Sequence, residues 1–228
     1  MSDILFVAEI GSNHKGIKAL AHEMVRQAAL AGADIAKFQL GWSKNIVGGS
    51  KEWMRYQPME WAQEIMEWCD YYGIEFMASI WGRKGLELAC ELGVKRLKIP
   101  YLVWRDFKEL SELVLSQGKE TFISGGTHSN NELARPIYCI PEYPVYPDKL
   151  VLPSTFHPDA RTTSWYGYSS HAHGIADALL AIARGALYIE KHVTLDKTEE
   201  SIRDNAFALS FEEFGEMVRI GRDIARLL

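Results

Sequence analysis

The chain has few cysteines, no long apolar run, no basic cluster and no glycine-rich nucleotide loop, and each absence removes a class of function. Its three cysteines, Cys69, Cys90 and Cys139, are odd in number and widely spaced, so neither a disulfide framework nor a thiolate metal site is expected. No stretch approaches the roughly 18 consecutive apolar residues of a membrane-spanning helix. The opening MSDILFVAEI has neither a cationic start nor a small-residue cleavage site, so a cytoplasmic protein is expected. A formal charge of −5 without a basic run argues against nucleic acid or an anionic membrane as partner and leaves a small molecule. The 228 residues, 47% hydrophobic and 24% charged, suit one domain over 1–228 that buries most of its apolar surface.

What is present is alternation. Strand-like runs ILFVAEI, DIAKFQL, IEFMASI, VKRLKIP, KETFIS, IYCIPE, WYGYS and LYIEKHV are followed by helical patterns. The helical segments are IKALAHEMVRQAALAGA, PMEWAQEIMEWCDYYG, RKGLELACELG, WRDFKELSELVLSQG, a short SNNELA, GIADALLAIARGA and SFEEFGEMVRIGRDIARLL, and the stretch after IYCIPE is loop-rich. Gly32, Gly73, Gly93, Gly118 and Gly185 stand where helices should close. Eight βα units in this length predict an α/β protein with a compact (β/α)8 barrel, the TIM-barrel architecture. A doubly wound sheet is second, because no glycine-rich loop follows the first run.

Successive residues of a strand face opposite sides. In DIAKFQL, Ala36, Phe38 and Leu40 can pack under helices, which turns Lys37 and Gln39 inward. The same parity groups Arg96 with Lys98, Glu190 with His192, Ser169 with His171, and Glu75 with Ser79, and it places Glu9 and Ser124 at strand ends. Polar groups inside a barrel are tolerable near its mouth, where water or ligand satisfies them. Glu9, Lys37, Gln39, Ser79, Lys98, Ser124, Ser169, His171 and His192 are therefore expected to ring one pocket at the carboxyl face.

His171 and His192 close two neighbouring strand-like runs, and a convergent imidazole pair suits a divalent metal. Two independent surface histidines are the plain alternative. Lys37 and Lys98 beside several hydroxyls suit a small polyanion; alternatively they neutralise Glu9 and Glu190, or one of them forms a Schiff base with a carbonyl substrate. Glu190 either supports the metal site or pairs with Lys98. His173 is a third ligand or the start of a helix, and His14 a catalytic group or a turn histidine bonded to backbone. Trp53, Trp61, Trp68, Tyr71 and Tyr72 are spaced for helix packing rather than a ligand cage.

The motifs VAEIGSNHKG, AGADIAKFQ, GIEFMASI, LKIP, ISGG, CIPEYP, YGYSSHAHG and IEKHVTLD, in this order, resemble the sialic acid synthase family, barrels that make N-acetylneuraminate, legionaminate and pseudaminate. The resemblance covers nearly the whole chain. It implies a metal-dependent condensation in which carbon 3 of phosphoenolpyruvate attacks the aldehyde of an open-chain N-acylated hexosamine, water adds to carbon 2 and phosphate leaves. By this match His171 and His192 bind a divalent ion, Mn2+ first with Mg2+ or Co2+ as substitutes, and Lys37, Lys98, Ser79, Ser124 and Ser169 form the phosphoenolpyruvate cradle. Glu9, Gln39, Tyr143 and Asp204 correspond to positions that contact the sugar or orient reacting groups.

Departures from the family pattern bear on the acceptor. Its Lys-Ile-x-Ser-x-Glu reads Lys98-Ile99-Pro100-Tyr101-Leu102-Val103 here, so a serine and a glutamate implicated in proton transfer are absent. Thr-Pro-Phe-Asp reads Ser79-Ile80-Trp81-Gly82, Ser-Thr-Gly-Met reads Ser124-Gly125-Gly126-Thr127, and Ser-Asp-His reads Ser169-Ser170-His171. The stretch between Gln39 and Pro58 is short. The family's antifreeze-like domain, which in relatives lends an arginine to the partner's sugar site, is not expected here, and the usual homodimer is thereby left open. The expectation is an enzyme condensing phosphoenolpyruvate with an aldose, against two rivals: a Schiff-base aldolase or lyase, and a catalytically silent sugar-phosphate-binding protein.

Overall fold

The computed structural model describes residues 4–42, 58–126, 131–156 and 165–228. Eight parallel strands close into a barrel in chain order: β1 (Leu5–Glu9), β2 (Ile35–Leu40), β3 (Glu75–Ile80), β4 (Arg96–Ile99), β5 (Glu120–Ser124), β6 (Ala134–Cys139), β7 (Gly167–Ser170) and β8 (Tyr188–His192). Around them lie α1 (Lys18–Leu30), α2 (Pro58–Tyr72), α3 (Arg83–Glu91), α4 (Tyr101–Asp106), α5 (Lys108–Leu115), α6 (Ala176–Ala183) and α7 (Phe211–Ala225). This is the compact (β/α)8 barrel that the alternation predicts.

The strand parity is the expected one, and it divides the interior into three levels. At the amino end Arg96 pairs with Glu75 and, through Nε at 2.7 Å, with Glu120, which also takes Arg135 at 3.2 Å. The middle is an apolar plug of Val7, Ile35, Met77, Phe122, Ile137 and Tyr188, all excluded from solvent. The polar residues above it form the carboxyl end. Arg96 and Glu75 thus share faces with Lys98 and Ser79 but stand at the opposite mouth. Outside the strands, Phe6, Ala8, Ala36, Phe38 and Leu40 join the large core beneath the helices.

Three local expectations are corrected. SNNELA forms no helix in its described part: Asn131 to Leu133 lie in a turn and Ala134 opens β6, because Asn131 caps that turn by accepting from the Leu133 N–H at 2.9 Å. WRDFKELSELVLSQG is two helices, split at Phe107 with φ −124° and ψ 67°. His173 starts no helix; it is exposed in the turn before α6. All five glycines expected to close helices take positive φ, and Ser210 caps α7 in a reciprocal box with Glu213.

One buried ion pair outside the barrel fixes the end of β7. Lys191 Nζ donates to Ser170 Oγ (2.8 Å), to the Ala172 carbonyl (2.7 Å) and to Asp177 Oδ1 (3.3 Å) in the first turn of α6. The Tyr168 hydroxyl donates to Asp177 Oδ2 at 3.0 Å. Asp177→Ala strands a buried ammonium and is expected to cost about 3–5 kcal/mol, measured by urea unfolding. A loss below about 1 kcal/mol contradicts the tie.

Candidate active site

At the carboxyl mouth a cavity of about 470 Å3, open side included, is lined by Glu9, Lys37, Gln39, Ser79, Lys98, Ser124, Ser169, His171 and His192 together with Tyr143 and Glu190. The residues that parity turns inward thus meet in one place. A wider outer cavity of about 910 Å3 adjoins it, sharing Gln39, Tyr143 and His192 and adding Trp42, Arg105, Arg203 and Asp204. Asp204 therefore belongs to the outer chamber and not to the inner cup.

His171 and His192 follow from adjacent strands, and their ring centroids lie 5.8 Å apart. His171 Nδ1–H donates to the Ile140 carbonyl at 3.0 Å, since a carbonyl can only accept, and this leaves Nε2 with the free lone pair. Burial, with repulsion from His192, lowers its pKa to about 3; the ring is neutral, the form that binds metals. His192 Nδ1 is buried without a hydrogen-bond partner. Phe207 meets both rings edge to face, at 5.5 Å and 5.2 Å, and Tyr143 lies 4.1 Å from His171. These are the two residues of the cup that could hold a divalent ion. Among the described residues no group of three or more His, Cys, Asp or Glu converges on one point.

Beside the imidazoles is a buried ion cluster. Glu190 accepts from Lys98 Nζ at 2.9 Å, Ser169 Oγ at 2.8 Å and the Tyr188 hydroxyl, with Lys37 Nζ at 3.5 Å. Burial pushes this carboxyl up, but Lys37 and Lys98 outweigh it and hold it well below the usual range. Lys37 also pairs with Glu9. Burial pushes Lys37 down, yet Glu190 and Glu9 prevail and raise it. For Lys98 burial prevails and lowers it. Glu9 Oε1 is buried and accepts no hydrogen bond.

The sequence model of the NeuB family matches residues 24–228. The chain belongs to the NeuB family. It is 29% identical to human N-acetylneuraminate-9-phosphate synthase over 97% of this chain and 70% of that protein. It is 30% identical to the N,N'-diacetyllegionaminic acid synthase of Legionella pneumophila over 97% of this chain and 72% of that one. The structure of N-acetylneuraminic acid (sialic acid) synthetase from Leptospira borgpetersenii in complex with citrate superposes with a TM-score of 0.87 at 27% identity, covering 99% of this chain and 85% of that one. This NeuB-family barrel is thus sialic acid synthase-like, and its relatives belong to carbohydrate biosynthesis. Among the described residues no helix is long and apolar enough to cross a membrane.

Within the NeuB pattern the departures acquire places. Tyr101 and Leu102 border the cavity, while Val103, at the family's glutamate position, is wholly buried in the helix layer. Among the described residues, the carboxylates lining the inner cup are Glu9 and Glu190. His14 is buried at the β1 turn, its Nδ1 accepting from the Gly16 N–H at 3.0 Å, and burial lowers it to about 4; it packs on Trp61 and does not line the cup. His173 faces Tyr146, away from the histidine pair. Trp61 is buried, and Trp68 and Tyr72 pack on His22, but Tyr71 is 83% exposed; Trp53 and Thr127 lie outside the described residues.

Sequence reasoning missed Tyr188, Cys139 and Phe207. Parity from Glu190 and Ile137 points to the first two. Phe207 lies in a 3-10 turn after β8, where strand parity carries no signal. Gly11 is the hinge of this corner: at φ +55°, a Cβ there would stand 3.2 Å from Glu9 Oε1 and 3.3 Å from His192 Nδ1. Gly11→Ala is expected to cost about 1–2 kcal/mol in left-handed strain and to lower activity at least tenfold by displacing both groups. Retained activity in a folded variant, read by calorimetry beside the assay, contradicts this.

Proposed function

We propose that this barrel condenses phosphoenolpyruvate with an aldose to give a 2-keto-3-deoxy sugar acid and phosphate. The supporting observation is the convergence of His171 and His192, from adjacent strands, over a cup that holds two buried ammoniums. Lys37 and Lys98, with Ser79, Ser124 and Ser169, supply cations and hydroxyls suited to a phosphate and a carboxylate in one small molecule. His171 and His192 are the residues that would hold the divalent ion, Mn2+ first and Mg2+ or Co2+ in its stead, and once bound it supplies Lewis acidity to the aldehyde oxygen.

The remaining roles belong to the chain's own groups. Carbon 3 of phosphoenolpyruvate bonds to the aldehyde carbon, water adds to carbon 2, and the carbon–oxygen bond to phosphate breaks. Glu9, whose Oε1 is buried and unbonded, takes the proton of that water. Glu190 is held by four partners, so it positions both lysines rather than exchanging protons. Gln39 accepts from Trp42 Nε1 at 2.6 Å through its oxygen, which leaves its NH2 group to donate to the sugar, with Tyr143 beside it at the cup and Asp204 in the outer chamber.

Phosphate release from phosphoenolpyruvate, assayed over a panel of aldoses after chelation and after adding back Mn2+, tests the reaction. Release is expected only with both an aldose and the metal. His171→Ala is expected to abolish the metal response and reduce turnover well over tenfold, and Glu9→Gln to reduce kcat on the order of 10²-fold with little change in KM. Unchanged release after chelation and in His171→Ala overturns the proposal; borohydride trapping at Lys98 in that setting identifies the Schiff-base route.

A further inference from the structure

Strand β8 sets three alternate residues at successive levels of the barrel. Tyr188 belongs to the apolar plug, Glu190 borders the cup above it, and His192 ends the strand at the mouth. Of the three, Tyr188 has no part in the condensation steps. Its side chain is wholly excluded from solvent and does not line the cup, so it touches no substrate there. The interior is nonetheless shaped for it. Phe122 packs on its ring with centroids 4.5 Å apart and planes at 30°. On the neighbouring strand a Cβ at Gly167 would stand 2.5 Å from the Cβ of Tyr188, so glycine is what lets β7 pass this closely. A buried phenol needs a partner for its hydroxyl, and here the hydroxyl leaves the plug to donate to Glu190 Oε2. Burial and the Glu190 charge raise its pKa well above the ordinary range, so it stays a donor.

Glu190 Oε2 is shared between the Tyr188 hydroxyl and Lys98 Nζ, the latter at 2.9 Å. Oε1 takes Ser169 Oγ at 2.8 Å and faces Lys37 Nζ at 3.5 Å. Of these four described partners, Lys98, Lys37 and Ser169 line the cup and meet an entering ligand, whereas Tyr188 lies beneath it. Phosphoenolpyruvate carries a phosphate and a carboxylate, and both compete with Glu190 for the ammoniums. A buried carboxylate that loses its cationic partners incurs its desolvation penalty unless other donors remain. The tyrosine hydroxyl, its ring fixed by packing, is the donor that ligand entry leaves in place.

We propose that Tyr188 is a positioning residue for phosphoenolpyruvate: its hydroxyl holds Glu190 from beneath the cup, so that Lys98 turns from the carboxylate to the incoming anion without stranding a bare charge. This rests on the condensation proposed above and concerns the same cup. Only hydrogen bonds change in this step. Lys98 Nζ exchanges Glu190 Oε2 for a ligand oxygen, and Oε2 keeps Tyr188. A residue that serves ligand binding equally in the ground and transition states shows its effect in KM and not in kcat.

Tyr188→Phe removes one oxygen, keeps the ring and leaves Glu190 with Lys98, Lys37 and Ser169 in the ligand-free protein. Titration calorimetry with phosphoenolpyruvate, in the presence of Mn2+, is expected to show binding weakened on the order of tenfold relative to the wild type. The phosphate-release assay is expected to show the same rise in KM for phosphoenolpyruvate, with kcat and the KM for the aldose nearly unchanged. The ligand-free melting temperature should stay near that of the wild type. A lower melting temperature with unchanged affinity, which marks a packing role, or a loss confined to kcat, overturns the inference. A crystal structure of the wild-type protein with phosphoenolpyruvate decides the same point without a variant. There the Tyr188–Glu190 bond is expected to persist while Lys98 moves onto the ligand; Lys98 still on Glu190, or Tyr188 turned away, overturns the inference. Binding that Tyr188→Phe weakens, with no phosphate release from any aldose, overturns the condensation alone. Release with unweakened binding overturns this inference alone, and no binding by the wild type overturns both.

Discussion

The ion cluster around Glu190 is the constraint on which the rest of the barrel mouth depends. Two ammoniums cannot stand buried above an apolar plug without compensating charge, because desolvation costs several kcal/mol per ion. Glu190 reaches across the interior to Lys98 and Lys37, with Ser169 and Tyr188 completing its hydrogen bonds. Lys37 is shared with Glu9. Among the described residues of the cup, the two lysines and two carboxylates balance in charge. An anion entering it must therefore bring a counter-charge or displace a carboxylate, and a divalent ion would supply the former if His171 and His192 held one.

The scaffold fixes those histidines from outside the barrel as well as inside. Lys191 and Asp177 bind the end of β7 to α6 directly beside His171. Asn13 Nδ2 donates to the Val193 carbonyl at 2.8 Å, tying the first turn to the residue after His192. Phe207 then fills the space against both imidazoles. Rotamers locked by packing and buried bonds are what a site needs in order to present two ligands at a fixed separation.

The barrel and the inward set were legible because both follow from period. Alternating runs of strand and helix length specify the fold, and strand parity turns Lys37, Gln39, Ser169, His171, Glu190 and His192 to one side without knowledge of neighbours. Parity does not say at which end of the barrel a residue stands, so Glu75 and Arg96 shared a face with the cup while pairing at the opposite mouth. It also fails in loops. Phe207, Arg203 and Trp42 reach the site through turns whose course is set by tertiary contacts such as the Gly41–Gly82 approach. Local propensity likewise misjudged SNNELA, where an asparagine-capped turn outcompeted a helix.

Crystals soaked with phosphoenolpyruvate and Mn2+ offer the most direct measurement. Anomalous scattering is expected to place one Mn2+ within coordination distance of His171 and His192, with the phosphate and carboxylate of phosphoenolpyruvate against Lys37 and Lys98. An ion bound elsewhere, or phosphoenolpyruvate absent from a cup whose lysines stay locked to Glu190 and Glu9 at saturating concentration, contradicts the account.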